Sequence, residues 1–144
     1  ADEVLRNGGQ VIGVIPKFLQ QKEVGHDRLT TLHVVDSMHE RKQLMAEFSD
    51  AFIAMPGGLG TLEELAEIST WVQLELMKKP IGVFNVNGFY DHLISQLDHM
   101  CSEGFLRAEN KRNIICKDVA KSLLEELSNF EFNDYSIWGN FDQT

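Results

Sequence analysis

Residues 51–64 read AFIAMPGGLGTLEE, and this stretch decides the fold. Its first five residues are apolar and predict a buried strand, its three glycines predict a turn, and the next helix is expected to begin at Thr61. In α/β proteins this order of elements forms anion sites, because the first N–H groups of a helix have no partner within it. Glycines also free the backbone for positive φ and for close approach by a ligand. We therefore expect a phosphate or carboxylate here, with a purely structural tight turn as the alternative.

Strands and helices alternate on both sides of this stretch. Short β-branched runs predict the strands, and capping boxes or amphipathic patterns predict the helices. Such alternation indicates right-handed βαβ units and hence an α/β fold, a parallel sheet with helices on both faces. Residues 17–30 show no regular period and are expected to form a loop, with a short helical turn within it as an option. The predicted strands are residues 10–15, 31–35, 51–55, 81–85 and 113–116, and the predicted helices are residues 37–48, 61–77, 90–102 and 119–127.

The two ends of the chain carry further signals. Residues 1–7 read as the end of a helix closed by Gly8 and Gly9. No strand precedes them, so we expect an N-terminally incomplete sheet that lacks at least one strand. The length suits a single domain over residues 1–144. Residues 129–144 form a tail whose aromatic side chains are expected to pack on the body or on a partner subunit. They are Phe130, Phe132, Tyr135, Trp138 and Phe141.

Composition narrows the range of partners and compartments. The chain has 22 acidic and 13 basic side chains and a net charge of −9, which argues against general binding to nucleic acid or to anionic membranes. No run approaches the roughly 18 apolar residues of a membrane span. Cys101 and Cys116 lack metal-ligand spacing and would make a thin disulfide framework, so reduced thiols in the cytoplasm are expected.

Arg41 stands out on the helix predicted from Ser37. The apolar stripe of that helix consists of Met38, Leu44, Met45 and Phe48, and at 100° per residue Arg41 falls inside it. A charge in such a position is costly unless it is paired. Its partner is therefore either a buried carboxylate or a functional group such as a ligand anion, which the planar guanidinium suits well. The adjacent Lys42 is expected nearer the edge of the stripe, either solvated or as a second positive charge.

Glu64 has two interpretations that the pattern leaves open. Thr61 and Glu64 match a capping box, in which each side chain would satisfy a backbone N–H group at the helix start. The predicted core stripe runs through other positions, whereas Glu64 shares a second side of the helix with Ile68 and Trp71. That side would suit a ligand wall or a subunit interface. The core stripe is predicted at Leu62, Leu65, Ser69, Val72 and Leu76.

No pattern points to a metal or an organic cofactor. The glycine loop lacks the Lys-Ser/Thr ending of a Walker A loop and does not match G-x-G-x-x-G. His92 and His99 lie opposite the apolar stripe of their helix and are expected to be solvated. The chain has no H-E-x-x-H, C-x-x-C or Ser-His-Asp pattern. We therefore expect neither a metal site nor a cofactor.

Two motifs together resemble a known family. Residues 38–42 (MHERK) and residues 50–61 (DAFIAMPGGLGT), with Glu64 and then Trp71 and Gln73, are similar to the LONELY GUY family of cytokinin riboside 5'-monophosphate phosphoribohydrolases, whose members also carry the label lysine decarboxylase. The similarity extends from Ala1 to about Leu127. The resemblance implies a Rossmann-like homodimer.

The resemblance also implies an activity and a site. The reaction would be hydrolysis of the N-glycosidic bond of a nucleoside 5'-monophosphate, such as a cytokinin riboside 5'-monophosphate or AMP, to free base and ribose 5-phosphate. Arg41 and Glu64 would be the catalytic pair. A nucleotide-binding module without catalysis is the alternative, and lysine decarboxylation is disfavoured because no motif frames Lys42 as a pyridoxal phosphate lysine. The residues implied in substrate binding are Met38, Lys42, Pro56, Gly57, Gly58, Gly60 and Thr61.

Overall fold

The computed structural model describes residues 1–20, 26 and 28–132. The chain divides into two compact units, of which the first is Ala1–Ser49 and the second begins at Asp50. Each unit contains parallel strands with flanking helices. The predicted α/β class with a Rossmann-like arrangement is therefore confirmed.

The first unit contains a pair of parallel strands. Strand β1 (Ile12–Pro16) runs beside β2 (Thr31–Val35), with Ile12 opposite Thr31 and Pro16 opposite Val35. The accompanying helices are α1 (Asp2–Arg6), α2 (Lys17–Gln20) and α3 (Met38–Phe48), of which α2 and α3 pack against both strands. Part of the loop predicted over residues 17–30 is thus helical.

The ends of the helices in this unit follow the sequence signals. The N–H groups of Gly8 and Gly9 donate to the carbonyls of Leu5 (3.1 Å) and Val4 (2.9 Å), which closes α1 as the glycine pair predicted. Ser37 caps α3, because its hydroxyl accepts from the N–H of Glu40 at 3.0 Å. The carboxylate of Glu40 reaches back and accepts from the N–H of Asp36 at 2.8 Å. The predicted capping box at Ser37 is therefore confirmed, with the return bond one residue earlier than usual.

In its described part, residues 50–132, the second unit contains three parallel strands in the order β3-β4-β5. The strands are β3 (Phe52–Ala54), β4 (Ile81–Phe84) and β5 (Ile114–Lys117). The central position of β4 explains why Ile81 and Val83 are fully buried, since a parallel strand with neighbours on both sides is covered on both faces. The helices are α4 (Leu59–Gln73), α5 (Asp91–Ser102), α6 (Ala108–Arg112) and α7 (Ala120–Ser128).

Helix α7 covers one face of this sheet. Leu123 and Leu127 on α7 form a buried cluster with Ile115 on β5. A Cβ at Gly82 would lie only 3.0 Å from Leu123 and 3.1 Å from Leu127, so the glycine permits this close approach of helix and strand. Phe130 packs against the same cluster, which confirms that the beginning of the aromatic tail lies on the body. Tyr135, Trp138 and Phe141 lie outside the described residues.

Helix α4 differs most from its prediction. It ends at Gln73 and not near Met77, because Glu75 adopts φ of 59° and the N–H of Leu76 donates to the carbonyl of Trp71 at 2.9 Å. This is a Schellman closure with glutamate in the place usually taken by glycine, so the sequence carries no stop signal there.

Helix α6 and a 3₁₀ turn at Val86–Gly88 were also not predicted. Both are too short to show a helical period. Among the described residues, no helix has the length and apolar character needed to cross a membrane.

Candidate functional site

The glycine loop joins β3 to α4 in the predicted order. Strand β3 ends at Ala54, and α4 begins at Leu59 with Gly58 as its N-cap. The first hydrogen bond of the helix runs from the N–H of Leu62 to the carbonyl of Gly58 at 3.2 Å. The N–H groups of residues 59–61 precede that bond and have no carbonyl partner within the helix. The positive end of the helix dipole therefore lies at this loop.

The prediction that Thr61 is the N-cap is wrong. The helix begins two residues before Thr61, which places Thr61 inside the first turn. The capping box expected from Thr61 and Glu64 therefore cannot form at the helix start, because Gly58 occupies the capping position and has no side chain. The purely structural interpretation of Glu64, as the second member of a capping box with Thr61, is therefore excluded.

Gly57 and Thr61 are in close contact. A Cβ placed at Gly57 would overlap the Thr61 hydroxyl and would lie 2.9 Å from the Thr61 Cβ. The Thr61 side chain thus lies over the backbone of Gly57 and points back into the loop. Only glycine fits at position 57 without a shift of the loop or of the helix start.

Gly58 and Gly60 serve the loop differently from Gly57. A Cβ at either position would meet no protein atom within 4 Å, so both face open space. The expectation that these glycines supply positive φ is wrong, because Gly58 is extended (φ −96°, ψ −155°) and neither Gly57 nor Gly60 has positive φ. Their common contribution is unobstructed backbone beside the helix start, where a ligand could approach closely.

Glu64 lies on the covered side of α4. Ile68 and Val72, four and eight residues further on, are the buried residues of this helix, with exposures of 8% and 6%. Glu64 is half-buried on the same side, as are Thr61 and Trp71. The predicted core stripe is therefore wrong in part, since it left out Ile68. Its members Leu62 and Leu76 are exposed at 36% and 69%. Glu64 and Thr61 are one turn apart on one face, about 4.5 Å along the helix axis.

Helix α3 carries Met38, Arg41 and Lys42 on one face. All three are half-buried, and the face continues through Met45 to the buried Ala46. As predicted, Arg41 thus lies on the covered side of its helix. Lys42 lies on this side too, and not nearer the edge of the apolar stripe as predicted. The stripe was predicted wrongly at Phe48, which is 48% exposed and stacks against His33 at 4.9 Å between ring centroids.

An open cavity of about 520 Å³ lies beyond the carboxyl ends of β4 and β5. Carboxyl ends of parallel strands are where α/β proteins bind ligands. This cavity was not predicted, although the Asn-Val-Asn-Gly turn after a buried strand is a signal for it. Burial raises the pKa of the Cys116 thiol, and the charges of Asp91 and Asp118 raise it further. The residues that line the cavity include Asn85, Asn87, Asp91, Cys116, Lys117 and Asp118.

Tyr90 connects this region with the glycine loop. The Tyr90 side chain is 2% exposed, and its hydroxyl donates a hydrogen bond of 2.6 Å to the carbonyl of Met55. A tyrosine hydroxyl is protonated and able to donate at neutral pH, and burial raises the pKa of the Tyr90 hydroxyl further. Sequence patterns could not reveal this contact because 35 residues separate its partners.

The described part of the chain contains no group of three or more His, Cys, Asp or Glu side chains that could hold a metal ion. His92 and His99 are both exposed on α5, as predicted. Cys101 and Cys116 are free thiols.

The fold and the loop together define a class of protein. Parallel strands with flanking helices, and a glycine loop between a strand and a helix N-terminus, place the chain among the Rossmann-like α/β proteins. Comparison with known families is more specific. The model of a family described as "Possible lysine decarboxylase" matches residues 1–127, and the chain belongs to this family.

Curated relatives support the resemblance to the LONELY GUY proteins, which is thereby confirmed. The cytokinin riboside 5'-monophosphate phosphoribohydrolase LOG of Oryza sativa subsp. japonica is 47% identical over 133 residues, covering 91% of this chain and 55% of the relative. A protein of the same enzyme name from Rhodococcoides fascians is 50% identical over 121 residues, covering 83% and 61%. Another from Arabidopsis thaliana is 44% identical over 129 residues, covering 89% and 60%. The chain thus spans between half and two thirds of the length of these relatives.

Proposed function

We propose that this protein is a phosphoribohydrolase that cleaves the N-glycosidic bond of a nucleoside 5'-monophosphate, giving free base and ribose 5-phosphate. The observation that carries the proposal is the start of α4, where open space in front of Gly58 and Gly60 adjoins the N–H groups of the first turn. The names of the curated relatives support a cytokinin riboside 5'-monophosphate as the substrate class. AMP is proposed beside it because it carries the same 5'-phosphate and the same kind of N-glycosidic bond.

The 5'-phosphate is proposed to bind at the glycine loop. A dianion there would accept hydrogen bonds from the N–H groups of residues 59–61 and from the Thr61 hydroxyl, and the helix dipole would stabilise its charge. Pro56 and Gly57 shape the turn that leads into this helix start. Met38 and Lys42 are proposed as further substrate contacts because they share a half-buried face with Arg41.

Glu64 is proposed as the catalytic carboxylate. Cleavage of a glycosidic bond passes through a sugar with cationic character, which a nearby carboxylate stabilises while it orients the attacking water. Glu64 is half-buried one turn beyond Thr61, on the same face of α4. A ribose extending from a phosphate at Thr61 would therefore come within reach of Glu64.

Arg41 is proposed as the second catalytic residue. Arg41 is a half-buried residue of α3, and its guanidinium carries a delocalised positive charge. A planar guanidinium binds carboxylate or phosphate through two parallel hydrogen bonds, which fixes geometry as well as charge. Arg41 would thus orient an anionic group that takes part in the reaction.

We further propose that the protein is a cytoplasmic homodimer. Leu59, Leu76 and Phe105 are 85%, 69% and 86% exposed, and such apolar side chains are candidates for burial against a second copy. The two free thiols are compatible with a reducing compartment. Analytical ultracentrifugation tests the first statement and cell fractionation the second. A monomer at micromolar concentration would rule out the dimer.

The activity is tested by incubating the protein with AMP or with N6-isopentenyladenosine monophosphate. Chromatography should detect free base and ribose 5-phosphate in equal amounts. Adenosine is the matched control, and it should not be cleaved because it has no phosphate for the helix start. Tight binding of AMP without release of adenine would instead show a nucleotide-binding module without catalysis. Release of CO₂ from lysine with added pyridoxal phosphate would support a decarboxylase.

A further inference from the structure

Just before the glycine loop, Met55 alone links strand β3 to the turn that begins at Pro56. The β3–β4 ladder ends where Ala54 lies opposite Val83, so Met55 is beyond the strand pairing. Pro56 follows and has no N–H group to donate. The carbonyl of Met55 accepts the hydrogen bond from the Tyr90 hydroxyl at 2.6 Å, which anchors the chain at this point.

Tyr90 is itself held firmly in place. Its N–H group donates to the side-chain oxygen of Asn85 at 2.7 Å, and the side-chain amide of Asn85 donates to Asp91 at 2.8 Å. The backbone N–H of Asn85 donates to the carbonyl of Lys117 on β5 at 2.8 Å. The Tyr90 ring also meets Phe89 edge to face, with centroids 4.9 Å apart. Because these bonds tie Tyr90 to the sheet, its hydroxyl occupies a fixed position.

A buried donor on a rigid support can fix the backbone at the point where a loop begins. On the helix side, the loop is braced by the contact of Gly57 with Thr61 and by the hydrogen bond from the N–H of Leu62 to the carbonyl of Gly58 at 3.2 Å. A Cβ at Gly58 or Gly60 would meet no protein atom within 4 Å. A ligand loop binds best when its N–H groups are already arranged for the ligand, because ordering them on binding lowers the affinity.

We propose that Tyr90 is a positioning residue, which holds the glycine loop in its phosphate-binding arrangement through the hydrogen bond to the Met55 carbonyl. The identity of the ligand in this inference rests on the proposed function, whereas the geometry rests on the observed hydrogen bonds. Tyr90 does not touch the substrate in this proposal. Its loss would weaken the binding of phosphate equally in ground state and transition state, so it would raise KM and leave kcat nearly unchanged.

The test compares Tyr90→Phe with the unchanged protein in the full chain. Phenylalanine keeps the buried ring and the contact with Phe89 and removes only the hydroxyl. Nitrogen-15 relaxation should show lower order parameters for the N–H groups of Gly57 and Gly58, from about 0.85 toward 0.6. The dissociation constant for AMP by calorimetry, and KM where hydrolysis is observed, should rise about fivefold to tenfold, with kcat within about twofold.

Ser95→Ala is the matched control. The Ser95 hydroxyl also donates to a carbonyl, that of Asp91 at 2.9 Å, and Ser95 is an exposed residue of α5. Its replacement should leave the order parameters and the AMP affinity unchanged. An effect of Tyr90→Phe no larger than that of Ser95→Ala would overturn the proposal.

The readouts distinguish failure of the positioning role from failure of the proposed function. If the unchanged protein binds neither AMP nor inorganic phosphate, the proposed function fails, and the order parameters alone decide the role of Tyr90. A different outcome is that the unchanged protein binds AMP and that Tyr90→Phe has the same loop order parameters and the same AMP affinity. In that case the positioning role fails while the proposed function stands. A fall in kcat with unchanged KM would also overturn the positioning role.

Discussion

The side chain of Thr61 lies directly over the backbone of Gly57, so that a Cβ at position 57 would stand 2.9 Å from the Thr61 Cβ. This contact closes the loop between β3 and α4 onto the first helical turn. It gives Gly57 a steric role that Gly58 and Gly60 do not share, because these two face open space. The three glycines therefore respond differently to substitution.

Gly57→Ala should lower the free energy of unfolding by about 1–3 kcal/mol, because the added methyl group overpacks the loop against Thr61. Gly60→Ala is the matched comparison. It adds the same methyl group within α4, where alanine is favoured over glycine, and should raise stability by up to about 1 kcal/mol. The same methyl group would stand in the proposed phosphate site and should weaken AMP binding. Urea unfolding and calorimetry measure the two effects, and equal stability changes for both variants would contradict the steric assignment.

Glu64→Gln should reduce kcat for AMP hydrolysis by about 100-fold or more, because the amide cannot stabilise positive charge on the sugar. The dissociation constant for AMP should change little, since the proposed phosphate site lies elsewhere on α4. Glu63→Gln is the control, because Glu63 is exposed on a neighbouring position of the same helix. Single-turnover assays measure the loss. Turnover by Glu64→Gln at the rate of the unchanged protein would remove the catalytic assignment.

Arg41→Lys should lower kcat/KM by about 10- to 100-fold although the charge is kept, because the ammonium group cannot form two parallel hydrogen bonds to one anion. Gln43→Ala on the exposed side of α3 should have no comparable effect. Steady-state kinetics with AMP provide the measurement. If lysine substitutes fully, Arg41 acts as a simple positive charge and not through its planar geometry.

Ser37→Ala should lower the free energy of unfolding by about 1 kcal/mol, because the N–H of Glu40 loses its hydroxyl partner at the start of α3. Ser37→Asn should restore most of that loss, since asparagine is also a good N-cap. Chemical unfolding of the two variants side by side measures the difference. The capping role would be refuted if alanine and asparagine proved equally stable.

Stability should fall as the pH rises above about 9. Burial raises the pKa of Cys116 above its ordinary value of 9.0, so the folded state holds the thiol proton more tightly than the unfolded state does. The resulting stabilisation is fully present below pH 9 and is lost as the pH rises through the raised pKa. Cys116→Ser should show a smaller fall between pH 8 and 10.5 in urea unfolding. Parallel curves for the two proteins would show that the thiol does not contribute.

Local patterns predicted the elements whose ends are marked by local chemistry. Strand β2 was predicted at its observed bounds, and α3 was predicted from Ser37 because serine and glutamate at the right spacing cap a helix wherever they occur. The same reasoning misled at Thr61, where an identical spacing lies inside the first turn of α4. The two spacings are identical, so spacing alone does not decide at which residue a helix begins.

The amino-acid sequence was sufficient to predict the α/β alternation and the strand, loop and helix of the candidate site, because periodicity and glycine content act over a few residues. Its two motifs were sufficient to predict the family. Only the tertiary structure decided which side of α4 is covered, and hence that Glu64 lies on the buried face one turn beyond Thr61. It alone brought the Tyr90 hydroxyl to the Met55 carbonyl across 35 residues of chain. Burial and long-range hydrogen bonds depend on how distant segments pack, and no local pattern encodes that packing.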